Sequence, residues 1–251
     1  MKETKIMRVF NQFVKKFDMN KGNVKAIYFH SIKMMDLCKC IASNLGIFND
    51  EEVIACGLIG LFHDIGMFSN KNKLCVIMDE AVDYSKKSVD IMFDSDKLIR
   101  SITDITKYDD VIKVAIYCQN KNGLPNGLND KMLHFCKVLK DAHTIENFRM
   151  VVNYPYLDMH IDNFPSDLVY NTFKQYRVIS NRVSDNDADN VLEVLSCIFG
   201  INYHYSFVLL KEEKCVDKLL GALEMGNKTI MRFFNQIGAV LNMYIDRKIT
   251  G

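Results

Sequence analysis

Apolar residues recur at helical spacing along most of this chain. The first helix is predicted over residues 2–18, where Ile6, Phe10, Phe13 and Phe17 follow one another at intervals of three or four. A second helix is predicted over about 24–45, and the last over 228–247, from the same spacing. Strand-like alternation is nearly absent, so the pattern predicts an all-α fold.

Further helices are predicted between these ends, each bounded by polar or turn-forming residues. One runs from about residue 50 to the His63–Asp64 pair, with Asp50 as its predicted cap. Residues 121–130 are rich in Gly, Pro and Asn and are predicted to form a loop. The remaining helices are predicted near 80–93, 109–120, 130–150, 166–176, 187–200 and 211–225.

No linker in the chain is long enough to separate two domains. We therefore predict a single domain over residues 1–251. Its core would cover residues 1–152, and the helices of 153–251 would pack on that core as a C-terminal extension.

The charge balance and the length of the apolar runs argue against nucleic-acid and membrane partners. Lys and Arg total 32 against 31 for Asp and Glu, which argues against nucleic-acid binding by bulk charge. No stretch approaches the roughly 20 apolar residues that span a bilayer, and the N-terminus lacks a signal-peptide core. The eight cysteines are scattered. These features predict a cytoplasmic protein with reduced thiols and no membrane association.

The stretch ACGLIGLFHDIGMF, residues 55–68, is predicted to be a buried helix that ends on a His-Asp pair. Gly57 and Gly60 lie three residues apart on it. A glycine inside a helix costs about 1 kcal/mol relative to alanine, so a packing reason, such as a close neighbouring backbone, is expected.

Three helices each place an imidazole or carboxylate in an apolar stripe: His30, the His63–Asp64 pair and Asp141. Two imidazoles and two carboxylates suit one divalent transition metal, with Mn, Fe, Co, Ni and Zn as candidates. The alternative is an internal hydrogen-bonded cluster that binds no metal. A calcium loop at Asp185–Asp189 is rejected, because its sixth position is Asn190 rather than glycine.

Three segments of the chain resemble motifs of the HD-domain superfamily of metal-dependent phosphohydrolases. YFHSIKMM is similar to the family's first-His helix, GLFHDIGMF to its His-Asp helix and LKDAHTIENF to its final-Asp helix. VLEVLSCIFGINYHYSFVLL resembles a C-terminal stretch of one bacterial branch. The resemblance implies an HD-type helical bundle in which His30, His63, Asp64 and Asp141 bind one metal ion, with His63 and Asp64 catalytic. The implied substrate is a small phosphorylated compound, with nucleotides among the candidates.

The chain departs from this family pattern at several positions. Tyr84 and Gln119 stand where relatives often have the histidines that help to hold a second ion, so the resemblance implies a mononuclear site. Met67 replaces a basic residue, and His143 and Thr144 replace an Asp-Lys pair. These departures keep open an alternative: a degenerate HD protein that binds a ligand or partner without hydrolysis. Candidate substrate contacts are Asp83, Gln119, Asn120 and Lys137. A solvated charge is the favoured interpretation of Asp83 and Lys137, and a helix-capping role is the alternative for Gln119 and Asn120.

Overall fold

Helices account for almost all regular structure in the computed structural model, which describes residues 1–69, 84–119, 121, 123–153, 160–179 and 184–251. The prediction of an all-α fold is therefore confirmed. The chain divides into two compact units, residues 1–142 and 143–251, and the division falls inside one continuous helix. The prediction of a single domain, with a core over residues 1–152 and a C-terminal extension over 153–251, stays a prediction.

Seven helices and one 3-10 turn form the described part of the first unit, and the last helix continues into the second. They are α1 (Glu3–Val14), α2 (Gly22–Asn44), α3 (Asp50–Phe62), the turn Ile65–Ser69, α4 (Tyr84–Phe93), α5 (Leu98–Ile102), α6 (Asp109–Cys118) and α7 (Asp130–Asn153).

The start of α3 differs from the prediction by one residue. Asn49, not Asp50, is the N-cap, and its side chain accepts a hydrogen bond from the Glu52 backbone N–H at 3.1 Å. The Glu52 carboxylate accepts in return from the Asn49 backbone N–H at 3.1 Å, which completes a capping box. Two adjacent residues of capping type made the position ambiguous, and the spacing to Glu52 resolves it.

Helices α2 and α3 pack at very close range along one line of contact. A Cβ placed on Gly60 would lie 2.5 Å from the Met34 carbonyl oxygen and 2.9 Å from Cys38 Sγ. Only a residue without a side chain allows the two backbones to approach this closely, as the sequence predicted. A Cβ placed on Gly57 would meet side chains and no backbone atom: Lys39 Cγ at 2.6 Å and Met35 Cγ at 3.4 Å.

The second unit holds five further helices and a short parallel strand pair in its described part. These elements are β1 (His160–Ile161), α8 (Asp167–Lys174), α9 (Asp187–Ser196), the 3-10 turn Cys197–Gly200, α10 (His204–Glu212), α11 (Cys215–Gly221), β2 (Glu224–Met225) and α12 (Lys228–Thr250). The helix predicted over 211–225 is shorter in the structure, α11 (Cys215–Gly221), because α10 ends at Glu212 and Lys214 adopts a left-handed conformation with φ of 52°.

The acidic run Asp185–Asp189 forms the capped start of α9. Asn186 is the N-cap and accepts from the Asp189 backbone N–H at 2.9 Å. The buried Asp189 carboxylate accepts backbone N–H groups from Ser166 at 2.7 Å and from Asp185 at 3.0 Å. The Asp189 carboxylate therefore joins the start of α9 to the residue that precedes α8.

One helical stretch in the described residues, Asp50–Ser69, is long and apolar enough to cross a membrane by length and composition. The expectation that no stretch meets this criterion is wrong. However, 83% of its most apolar window is buried inside the protein, as in the core helix of a soluble protein. One such helix is weak evidence for a membrane span, and the absence of membrane association stays a prediction.

Candidate metal centre

Three side chains of the first unit converge where α2 meets the end of α3. His30 lies in the middle of α2, His63 is the C-cap of α3, and Asp64 follows it. All three are buried. His63 Nε2 lies 3.3 Å from His30 Nε2 and 3.1 Å from Asp64 Oδ2, and His30 Nε2 lies 3.7 Å from the same oxygen.

A local hydrogen bond fixes the tautomer of His63. Its Nδ1 lies 2.7 Å from the Gly60 carbonyl oxygen, one turn earlier in the same helix. A carbonyl can only accept, so Nδ1 carries the proton and donates it. In the neutral ring the lone pair is therefore on Nε2, which is the atom that faces His30 and Asp64.

Opposing effects act on the charge of His63. Burial lowers the pKa of this imidazole, but the Asp64 carboxylate and the Gly60 carbonyl outweigh that effect, and the pKa is raised above its usual 6.5. A cation at Nε2 would therefore compete with a proton for the same lone pair.

The spacing of these three atoms fits a metal ion. Nitrogen and oxygen ligands lie about 2.0–2.2 Å from a transition metal, which places neighbouring ligands about 3.0 Å apart in octahedral and about 3.4 Å apart in tetrahedral geometry. The observed separations run from 3.1 to 3.7 Å. The three ligand atoms belong to a group that could hold one ion, whose members all lie within 4.8 Å of one another.

The fourth predicted ligand, Asp141, lies on helix α7. Asp141 is fully buried on α7, but its carboxylate is not a member of that group. Its role as a ligand stays a prediction. Farther along α7, the ring Nδ1 of His143 lies 3.3 Å from the Asn147 side-chain amide. A residue two places after Asp141 is expected to point elsewhere around the helix, so the sequence predicts no ligand role for His143.

Gln119, at the end of α6, contacts the proposed site directly. Its Nε2 donates hydrogen bonds to Asp64 Oδ1 at 3.0 Å and to the His63 carbonyl oxygen at 3.1 Å. Lys137 is half-buried on α7. Asp83 and Asn120, the other predicted substrate contacts, lie outside the described residues.

Two residues that differ from the family pattern are packed into the interior of the first unit. Met67 and Tyr84 are both buried. The Gly66 backbone N–H donates to Ser88 Oγ at 3.0 Å, and a Cβ on Gly66 would lie 2.8 Å from the Tyr84 carbonyl oxygen. The turn after the His-Asp pair is thus pressed against the start of α4.

Lys140 lies directly before Asp141 on α7, and its Nζ donates a hydrogen bond to the Lys121 carbonyl oxygen at 2.5 Å.

Comparison with known proteins gives one family. The family model for the HD domain matches residues 27–145, a segment that contains His30, His63, Asp64 and Asp141. Neither the curated proteins nor the solved structures yield a match to the chain. Proteins of this family are generally metal-dependent hydrolases. The matched segment, its helical fold and its His/Asp cluster together show that residues 27–145 of this chain form a domain of the HD-domain superfamily.

Proposed function

We propose that this protein is a metal-dependent phosphohydrolase that acts on a small phosphorylated compound at a mononuclear site. The carrying observation is the convergence of His30 Nε2, His63 Nε2 and Asp64 Oδ2 at separations of 3.1–3.7 Å. The fixed tautomer of His63 supports it, since its free lone pair already faces the other two atoms. The metal is one divalent ion, with Mn, Fe, Co, Ni and Zn as candidates.

The residues divide the work of such a site. His30, His63 and Asp64 hold the ion, and helix α7 supplies Asp141 as a further ligand, as the family motif implies. A bound ion would polarise a phosphoryl oxygen and lower the pKa of a water that attacks phosphorus. Lys137, Asp83 and Asn120 remain candidate substrate contacts. We also retain the proposals of a cytoplasmic location and of no nucleic-acid or membrane partner.

A degenerate HD protein that binds a ligand without hydrolysis is the second candidate. It is favoured by the buried thioether of Met67 at a position where relatives carry a cation, and by the buried phenol of Tyr84 where they carry an imidazole. Both replacements remove groups that would meet a phosphate or a second ion.

Elemental mass spectrometry of protein purified without chelator or affinity metal tests the proposal. We expect about one transition-metal ion per chain in the wild type, and at least a tenfold lower content in His63→Ala and Asp64→Asn. His160→Ala is the matched control, because His160 is exposed and pairs only with exposed carboxylates in the described contacts.

A screen of phosphate esters with the retained metal then separates the two candidates. Turnover that Asp64→Asn abolishes supports hydrolysis. Metal binding without turnover of any ester supports the degenerate binder. Wild-type protein without metal, even after soaking with Mn, Ni or Zn, would contradict the hydrolase and leave the degenerate binder or an internal hydrogen-bonded cluster.

A further inference from the structure

The side-chain amide of Gln119 has only one orientation that satisfies its contacts. Its two neighbours are the His63 carbonyl oxygen, which can only accept hydrogen bonds, and the Asp64 carboxylate oxygen Oδ1. The NH₂ group must therefore face both of them, which turns Oε1 to the opposite side. Unlike most glutamine side chains, this amide cannot flip without losing two hydrogen bonds.

The two carboxylate oxygens of Asp64 have different neighbours. Oδ1 accepts from Gln119 Nε2 at 3.0 Å, whereas Oδ2 faces His63 Nε2 at 3.1 Å. A carboxylate commonly bridges two ions by giving one oxygen to each. Here a hydrogen-bond donor already contacts Oδ1, which favours binding of a single metal ion through Oδ2.

The other end of the amide is a buried acceptor. Gln119 Oε1 is closed off from solvent and has no hydrogen-bond partner among the described residues. A buried polar atom without a partner costs about 1–3 kcal/mol, so such an atom beside a proposed ligand site indicates a donor supplied by a small molecule. A water molecule is the smallest group that provides one.

We propose that Gln119 is a positioning residue of the metal centre. Its N–H groups hold Asp64 so that Oδ2 faces the imidazoles, which favours a single ion, and its Oε1 accepts a hydrogen bond from a water molecule. This inference rests on the proposed function and adds a role that the family motif does not assign, because relatives often carry histidine at this position.

Calorimetric titration of the metal-free protein with Mn²⁺ tests the positioning role. Gln119→Met has nearly the same length but no N–H group and no acceptor. We expect the wild type to bind one equivalent, and Gln119→Met to bind it 10–100-fold more weakly, the usual loss when a group that orients a metal ligand is removed. Gln175→Met is the matched control, since Gln175 also ends a helix but is exposed in the second unit.

The melting temperature of each metal-free variant separates positioning from stability. A purely structural role would lower that temperature in Gln119→Met and leave Mn²⁺ affinity unchanged, and this result would overturn the inference. Gln119→Asn, whose amide is about 1.5 Å too short to reach Asp64, serves if the methionine variant does not fold. It should show the same loss of affinity.

The remaining outcomes separate this inference from the proposed function. Two equivalents of Mn²⁺ in the wild type would overturn the single-ion assignment and leave a metal-dependent enzyme possible. No binding by the wild type would overturn both proposals. A crystal structure with Mn²⁺ should show an ordered water within about 3.2 Å of Oε1, and apolar atoms alone around it would contradict the water assignment.

Discussion

Replacing Gly60 with alanine should disturb both the stability of the first unit and its metal centre. The new Cβ would lie 2.5 Å from the Met34 carbonyl oxygen, whereas real Cβ contacts essentially never fall below 3.0 Å. The atom it meets belongs to the backbone of α2, so no side chain can turn away to make room. Helices α2 and α3 must therefore separate by at least about 0.5 Å at this point.

The energetic balance follows from two opposing contributions. Alanine favours the helix by about 1 kcal/mol over glycine, and overpacking a close contact costs about 1–3 kcal/mol. Because the clash is with backbone, we take the upper cost and expect a net loss of about 2 kcal/mol. Gly57→Ala is the matched control, since its Cβ meets side chains and no backbone atom: Lys39 Cγ at 2.6 Å and Met35 Cγ at 3.4 Å. Because displacing Lys39 offsets part of the helix gain, that variant should lie between no change and a gain of about 1 kcal/mol.

Thermal unfolding should show this difference as a gap in melting temperature between the two variants. A difference of about 2–3 kcal/mol corresponds to about 4–12 °C for a chain of this size. The displacement also reaches the ligands, because His30 lies one turn before Met34 on α2 and His63 follows Gly60 by three residues on α3. We expect Mn²⁺ affinity to fall about tenfold in Gly60→Ala only.

Equal melting temperatures and equal Mn²⁺ affinities in the two alanine variants would refute this reasoning. The backbones of α2 and α3 would then not be in limiting contact at Gly60. A lower melting temperature with unchanged Mn²⁺ affinity would confirm the contact and show that the ligands do not depend on it.

Two further predictions concern charged groups away from the centre. Burial raises the pKa of Glu52, but the Lys131 ammonium and the Asn49 N–H outweigh that effect and lower the pKa below 4.5. The ionised Glu52 carboxylate therefore stabilises the folded state above about pH 4.5, and this contribution is lost as the pH falls through the lowered pKa. Glu52→Gln should therefore cost up to about 1 kcal/mol near pH 7 and nothing in strong acid, measured by urea unfolding across pH; a pH-independent difference would contradict this. Arg149 pairs with Glu213 at 2.8 and 2.5 Å and with the buried Glu146 at 3.5 Å, so Arg149→Met should cost about 3 kcal/mol in the same assay, and a loss below about 1 kcal/mol would contradict it.

Long periodic helices could be predicted from the sequence, whereas short irregular elements could not. Helices α2 and α12 carry enough turns for their apolar stripes to fix their type and approximate length. Helix α10 begins after Tyr203 without a side-chain cap, so no start signal preceded it. The pair β1–β2 joins His160 to Glu224 with only two residues in each strand, too few for any alternation to appear.

The candidate site shows the same division between local and long-range information. His30, His63 and Asp64 could be predicted as a group because a polar residue in an apolar stripe and a family motif both mark them. The role of Gln119 could not, since its contact to Asp64 spans 55 residues of sequence. Gly57 and Gly60 look alike in the sequence, and only the packing of α2 distinguishes a flexible neighbour from a rigid one.

The tight contact between α2 and α3 also has a consequence for thiol chemistry. Cys38 lies at this contact, fully buried, and burial raises the pKa of its thiol well above the usual value. Oxidants and alkylating reagents attack the thiolate, so this sulfur is inert while the two helices stay together. It becomes reactive only when they part. The rate at which Cys38 is labelled therefore measures how often the helices that carry His30 and His63 separate.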